Sequence, residues 1–302
     1  MEVKKDSARA WWLAARPKTL SGAAVPVMIG LSLAWVDARG YEGNPFSPTA
    51  ALLCLLFAFV MQIDANLVND FIDYVRGTDD SHTRLGPPRA CAQGWVSIER
   101  MKHAIALTTC LACLVGLPLV LFGGLEMIFV GALCLLFCFL YTTHLSYMGL
   151  GDVLVLAFFG VVPVCTTYYV QLHQVPLHVV AASLACGIVV DALLLVNNFR
   201  DRDTDRQAGK MTLAVRVGPR ATLWLYLLCG VVACVLGGAV FVATSRPLAA
   251  LLPLVYLVLH VVAWLRMKSI WQGCDLNKCL GDTARNIFIY GITVTAGLLL
   301  ST

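Results

Sequence analysis

Nine apolar runs, each long enough to cross a bilayer, dominate this chain and leave few folds open to it. Their centres fall near Val27, Ala58, Leu111, Cys134, Gly160, Gly187, Ala233, Tyr256 and Val294. A helix crosses the hydrocarbon core, roughly 30 Å thick, with about 20 residues. Lipid offers no hydrogen bonds, so each run must satisfy its own backbone groups and folds as a helix. Composition agrees: 59% of the 302 residues are hydrophobic and 13% are charged, against roughly 25% charged in a soluble domain. So few polar residues cannot cover a water-facing surface of this size. The expected fold is an all-α membrane protein, a bundle of nine transmembrane helices forming a single domain over residues 1–302. Only Gly123 and Gly124 separate the third run from the fourth.

Charge orients the bundle. Twenty of the 22 Lys and Arg residues precede the first run or follow the second, sixth and eighth, leaving Arg39 and Arg246 on the other side. Basic loops stay cytoplasmic, which predicts a cytoplasmic N-terminus and an external C-terminus. The net charge of +4 therefore implies no nucleic-acid partner, and no obligatory protein partner is expected. Trp11 and Trp12, followed by Arg16 and Lys18, read as an interfacial anchor. The first run is too long for a cleaved leader and lacks a cleavage site, so no signal peptide is expected. Most of the twelve cysteines lie inside apolar runs, where Cys behaves as a small hydrophobe. Cys110 and Cys113 form a CxxC with no second pair to complete a zinc site, which favours packing.

Two polar segments repeat one another. The first reads Asn66-xxx-Asp70-xx-Asp73-xxx-Gly77 and the second Asn197-xxx-Asp201-xxx-Asp205-xxx-Gly209. Each sits at the inner end of an even-numbered run. Paired functional segments in corresponding positions point to a central site. Helical spacing puts Asn66, Asp70 and Asp73 on one face, and Asn197, Asp201 and Asp205 on one face of the second segment. Two such faces would bring four carboxylates together, a repulsive cluster near lipid unless a cation bridges them. Magnesium favours a few carboxylates with waters and phosphate oxygens. Arg200, Arg202, Arg206 and Lys210 interleave with the second motif, and Arg76 and Arg84 follow the first, supplying the donors a diphosphate needs. A single Dxx(x)D is as readily a solvated rim; two registered copies favour a site.

Other polar residues leave their roles open. Asp64 and Asp191 lie deeper in their runs and either line the cavity or support the motifs. Tyr141, Tyr168 and Tyr169 are candidates to line a chamber that holds a cation, with packing the commoner role for such aromatics. His103 and His144 have no metal-like partner spacing and read as interfacial.

The paired motifs, together with ARPKTLSGAAVPVMIG (15–30), NLVNDFIDYVRGTD (66–79), YMGLGDVLVLAFFG (147–160), TYYVQ (167–171) and NNFRDRDTDRQAGKMTLAVRVG (197–218), resemble the UbiA superfamily of intramembrane aromatic prenyltransferases. Within it, the likeness is to the branch that prenylates 1,4-dihydroxy-2-naphthoate in menaquinone biosynthesis. The resemblance implies that Mg2+ between Asp70, Asp73, Asp201 and Asp205 holds the diphosphate of an allylic polyprenyl donor. Asn66 and Asn197 would ligate or orient, and Asn69 and Asn198 would stand beside them. Arg200, Lys210, Arg76 and Arg84 would hold the diphosphate, and Tyr141 and Tyr168 would line the substrate chamber. The ring carbon of the aromatic acid would attack the allylic cation with loss of carbon dioxide. The tail would lie in a lipid-open groove, and the 79–95 loop would keep water out. A bacterial cytoplasmic (inner) membrane, with the active-site loops inside, is the implied location.

The chain departs from the family pattern in THLSYMGLGD (143–152), which lacks the expected prolines and glycines and ends in Asp152 where glutamate is usual. Other acceptors, such as 4-hydroxybenzoate or homogentisate, remain open. A CDP-alcohol phosphatidyltransferase would carry its aspartates in one compact array rather than four runs apart. A transporter with a cation site would place polar residues at mid-span, whereas here they cluster at the inner ends.

Overall fold

The structure, a computed structural model, describes residues 3–42, 45–77 and 84–301. Among these, nine helices are long and apolar enough to cross a membrane: α1 (Ala8–Ala38), α2 (Pro48–Val75), α3 (Ile98–Gly123), α4 (Glu126–Leu145), α5 (Gly151–Leu172), α6 (Leu177–Gln207), α7 (Pro219–Ala243), α8 (Pro247–Ile270) and α9 (Leu276–Leu300). Each of the nine expected centres falls inside one of them. The chain is a multi-pass membrane protein, and its all-helical bundle is the one anticipated.

The helices start and stop where side chains demand it. Ser7 caps α1 by accepting the Ala10 N–H at 3.2 Å, and Ser47 caps α2 by accepting the Ala50 N–H at 3.3 Å, with Pro48 in the first turn. Gly124, at φ 77°, turns the chain between α3 and α4. Between α5 and α6 the backbones nearly touch. A Cβ on Gly160 would lie 2.7 Å from the Gly187 Cα, a crossing that only small residues allow.

α1 and α6 form the centre of the bundle, and α3 and α4 its rim. In the apolar windows of α1 and α6, 61% of residues are buried, against 11% in α3 and 6% in α4. α6 packs against α7, α5, α9 and α1, while α3 leans chiefly on α2. Leu107, Leu114, Leu121 and Phe129 on the rim helices are exposed and meet lipid.

Two local breaks shape the interior. α1 is interrupted at Arg16, whose backbone is left-handed (φ 52°), and at the short turn Pro17–Thr19. Proline cannot continue the hydrogen-bond ladder and disfavours helical geometry in the residue before it. α4 ends in a wide π-type turn over Tyr141–Leu145, a device that re-aims side chains at functional sites.

Candidate active site

The broken α1, the C-terminal ends of α2, α4 and α6, the start of α5, and the 84–95 loop enclose one cavity of about 1080 Å³. Its two ends differ. One is polar and lined by Asn66, Asn69, Asp73, Asn197, Asn198, Asp201 and Asp205, with Arg16, Arg84, Arg89 and Lys210 among them. The other is an apolar arm between α2, α3, α4 and α5, past Phe57, Ala112, Gly116 and Met127. Leu117 and Ile128 line this arm and are also exposed, so it opens sideways toward lipid.

The first motif divides its residues between two tasks. Asp73 faces the cavity, with an Arg89 Nη2 3.6 Å from its carboxylate. Asp70 does not border the cavity; it accepts the backbone N–H groups of Ala90 at 2.8 Å and Cys91 at 3.0 Å. Helix geometry explains the division. At about 100° per residue, Asp70 lies about 40° to one side of Asn66, whereas Asp73 and Asn69 lie about 20° and 60° to the other. The cavity takes the second side and the loop the first. The Asp70 carboxylate thereby anchors the covering loop. The carboxylate also holds the neighbouring Cys91 thiol high, at about 12, with burial the larger cause.

Asn66 braces the break in α1. Its Nδ2 donates to the Ala15 carbonyl and the Thr19 hydroxyl, both at 2.9 Å, while its Oδ1 accepts from Gln62 at 3.3 Å. Asn69 accepts a bond from Arg89. Asp64, left open between two roles, faces α3 and accepts from Thr108 at 2.5 Å and Thr109 at 3.1 Å. It is a packing group rather than a cavity one.

The second motif is held by one buried guanidinium. Arg200 donates Nε to Asp201 Oδ1 at 2.8 Å and Nη2 to Asp201 Oδ2 and Asn197 Oδ1 at 2.6 Å. Its Nη1 donates to Asn277 Oδ1 at 2.8 Å. Its donors are so engaged, and 1% of its surface is exposed. It neutralises and aims Asp201 and Asn197. Asp205 stays at the cavity wall with Lys210 Nζ 3.8 Å away.

Lys210 is positioned by a backbone seam in which Met211 N–H donates to the Tyr147 carbonyl at 3.2 Å and Arg216 to the Met148 carbonyl at 2.8 Å. Burial pulls the Lys210 ammonium down, but Asp205, Tyr141 and Asp73 outweigh it, leaving its pKa above the ordinary lysine value. Arg84 is lowered to about 10 by burial and by the nearby Arg16, against the pull of Asp201. Arg76 stands outside the cavity, exposed and stacked 5.2 Å over the Tyr147 ring.

The covering loop is expected over 79–95; its residues 79–83 lie outside the described residues. The described part roofs the polar end. Asp70 clamps one side, and Asn277 holds the other by donating to the Leu85 carbonyl at 2.8 Å. Gly86 passes so close to Arg200 that a Cβ there would lie 2.6 Å from Nη2.

Tyr141 borders the cavity; Tyr168 does not. Tyr168 is buried at the opposite end of α5, where its hydroxyl donates to Asp37 at 2.7 Å beside His178 and Arg246. Tyr169 stands edge-on to His173. Sequence reasoning missed Arg16, Arg89 and Asn277 as parts of the site. For Arg16 a signal existed: an arginine directly before proline in the first span.

No group of three or more His, Cys, Asp or Glu side chains among the described residues is placed to enclose a metal alone. The donors lining the polar end, Asp73, Asp201 and Asp205 with Asn66, Asn69, Asn197 and Asn198, offer side-chain oxygens. Such an open oxygen set with cations between its members fits magnesium whose shell is completed by water and phosphate, and does not fit a closed zinc-type site.

The fold and site together define a multi-pass membrane protein with an internal chamber, ionic at one end and apolar along the rest. The chain belongs to the UbiA prenyltransferase family, whose model matches residues 23–279. It is 38% identical to 1,4-dihydroxy-2-naphthoate octaprenyltransferase of Escherichia coli (strain K12), over 72% of this chain and 71% of that one. The Haemophilus influenzae protein of the same name is 34% identical, over 98% of this chain and 97% of its own. A solved UbiA homologue from Archaeoglobus fulgidus, bound to DMAPP and Mg2+, superimposes with a TM-score of 0.64 at 16% identity, covering 95% of this chain and 99% of that one. The apo UbiA homologue from Aeropyrum pernix K1 gives 0.69, also at 16%, over 93% and 97%.

Proposed function

We propose that the chain transfers a polyprenyl group from its diphosphate to 1,4-dihydroxy-2-naphthoate, releasing diphosphate and carbon dioxide and giving a demethylmenaquinol. The observation that carries this reading is the cavity itself: oxygen donors and cations converge at one end of a chamber whose other end is apolar and open to lipid. The two ends of a polyprenyl diphosphate have those two characters. The relatives named above, at up to 38% identity, support the choice of acceptor.

Asp73, Asn197, Asp201 and Asp205 would hold Mg2+, and the ion supplies charge neutralisation of the departing diphosphate. Arg16, Arg84 and Lys210 bind the same phosphates and stabilise the negative charge that grows as the allylic C–O bond breaks. Arg200 keeps Asp201 and Asn197 aimed throughout. The 84–95 loop excludes water, which would otherwise capture the allylic cation. The prenyl tail runs into the arm between α2 and α5, which places the acceptor near Tyr141 and α5. The basic loops support a cytoplasmic N-terminus and cytoplasmic motifs, and a bacterial inner membrane is the location this reading takes. Residues 1–302 act as one domain.

Purified protein is given magnesium, 1,4-dihydroxy-2-naphthoate and a polyprenyl diphosphate, and the products are read by mass spectrometry. A prenylated product lacking the carboxylate is expected. Reaction with 4-hydroxybenzoate alone would overturn the acceptor and keep the prenyl transfer.

A further inference from the structure

The diphosphate end of the cavity does not use two acidic residues. Asp152, in the first turn of α5, lines the chamber. Asp191, on α6, lies behind it, near enough for the two charges to act on each other. Oδ1 of each is buried and meets no hydrogen-bond donor among the described residues. Other acids at depth are provided for: Asp64 by two threonines, Asp70 by two backbone N–H groups, and Asp37 by Tyr168, His178 and Arg246. Buried polar atoms without partners are rare in native proteins and call for an explanation. Tyr141 from α4 and Cys229 from α7 are the other titratable groups that interact with the pair. Lys210 reaches Tyr141 but is engaged with Asp205 on the diphosphate side. A cavity-lining carboxylate with one oxygen lacking a partner, near the apolar Val155, Phe158 and Leu194 that also line the chamber, suits a flat ring that brings its own hydroxyl donor.

We propose that Asp152 accepts a hydroxyl of the aromatic acceptor and removes its proton as the adjacent ring carbon is prenylated, with Asp191 a positioning residue behind it. This rests on the acceptor class proposed above. The O–H bond breaks to Asp152 and its electron pair becomes a C=O bond. The displaced ring π pair forms the C–C bond to the prenyl carbon. When the attacked carbon is the one bearing the carboxylate, the product is a β-keto acid. Its C–CO2 bond then breaks, the released pair restores the ring, and the oxygen recovers its proton from Asp152. Atoms and electrons balance without another reactant.

The test uses the purified full chain in nanodiscs, with 1-hydroxy-2-naphthoate and 2-naphthoate as binding probes and dihydroxynaphthoate as substrate. Wild type is expected to bind the hydroxylated probe at least tenfold more tightly, and Asp152→Ala to lose that preference while donor binding is unchanged. Asp152→Asn should lower kcat by about 100-fold or more, the scale of general-base catalysis, and Asp152→Glu should recover most of it. Asp191→Asn should raise acceptor KM and leave donor KM unmoved, a split that general loosening of the fold would not produce. If Asp152→Ala does not fold, the Asn and Glu variants carry the comparison. Undiminished hydroxyl preference in Asp152→Ala, no preference in wild type, or kcat of Asp152→Asn within twofold of wild type would each overturn the assignment. Selective binding without prenyl transfer would overturn the proposed reaction and keep the role of Asp152 as hydroxyl receptor.

Discussion

Asp70 and Asp73, less than one turn apart on α2, serve different partners: Asp70 takes the backbone N–H groups of Ala90 and Cys91, and Asp73 faces the cavity beside Arg89. Substitution should separate them. Asp73→Asn removes charge from the diphosphate end and is expected to lower turnover by about 100-fold or more, the scale of an electrostatic group acting on a developing charge. Asp70→Asn keeps an acceptor oxygen for one loop N–H, so turnover should fall by about tenfold or less, the lower range for a supporting group. Steady-state rates compare the two, and limited proteolysis within 84–95 reports the loop. Equal losses in both variants, with an unaltered loop, would contradict the division of labour.

Arg200 offers a sharper case because its bonds are directional. Asp201, Asn197 and Asn277 all depend on one planar fork. Arg200→Lys retains the charge but cannot reproduce that geometry. Turnover of the lysine variant is expected to drop by about 10- to 100-fold while the protein still purifies as a folded species. Arg200→Ala leaves Asp201, 21% exposed at the cavity wall, and Asn197 without their shared donor and should cost about 1–3 kcal/mol of stability, read as a lowered Tm. Wild-type rates in Arg200→Lys would show that Asp201 and Asn197 do not depend on this fork.

These two residues also show what the sequence makes legible. The nine spans follow from apolar length alone, and the pairing of the two motifs follows from their registered spacing. The direction of an individual side chain does not. Asn66, Asp70, Asp73 and Asn69 share an arc of about 100° on α2, and the edge of that arc belonging to the cavity is decided by Ala90 and Cys91, about twenty residues away. Arg200 lies in a run of bases that reads as a phosphate site; only the approach of α9, carrying Asn277, shows its donors engaged. Arg16 reads as an interfacial anchor because the break at Pro17 that turns it inward is a backbone event. Tyr168 and Tyr169 sit in an apolar run that marks neither end of α5 as the chamber.

The placement of Tyr168 gives a test in the opposite direction. Its hydroxyl donates to Asp37 at 2.7 Å, at the end of the bundle away from the acidic motifs, where Arg246 and His178 also bind Asp37. Tyr168→Phe leaves that carboxylate with fewer donors and should lower stability by about 1–3 kcal/mol, with turnover per folded molecule within twofold of wild type. Tyr141→Phe alters a residue at the cavity wall and should change acceptor KM instead. Thermal denaturation and acceptor kinetics on the two variants distinguish them; a Tyr168→Phe defect in kcat at full stability would return this tyrosine to the chamber.

Metal removal tests how the polar end works as a whole. Because the described residues do not enclose an ion by themselves, magnesium should bind weakly to the free protein and strongly only with a diphosphate present, whose oxygens complete its shell. Chelation is therefore expected to abolish turnover and to weaken donor binding, and excess Mg2+ should restore both. In Asp205→Asn the magnesium concentration for half-maximal rate should rise by about 10-fold or more, since one of few charged oxygens is lost while Lys210 remains. Titrating Mg2+ at fixed donor, with and without an unreactive diphosphate analogue, measures the coupling directly. Tight magnesium binding without any diphosphate, or turnover unaffected by a chelator, would show that the carboxylates act without sharing an ion with the substrate.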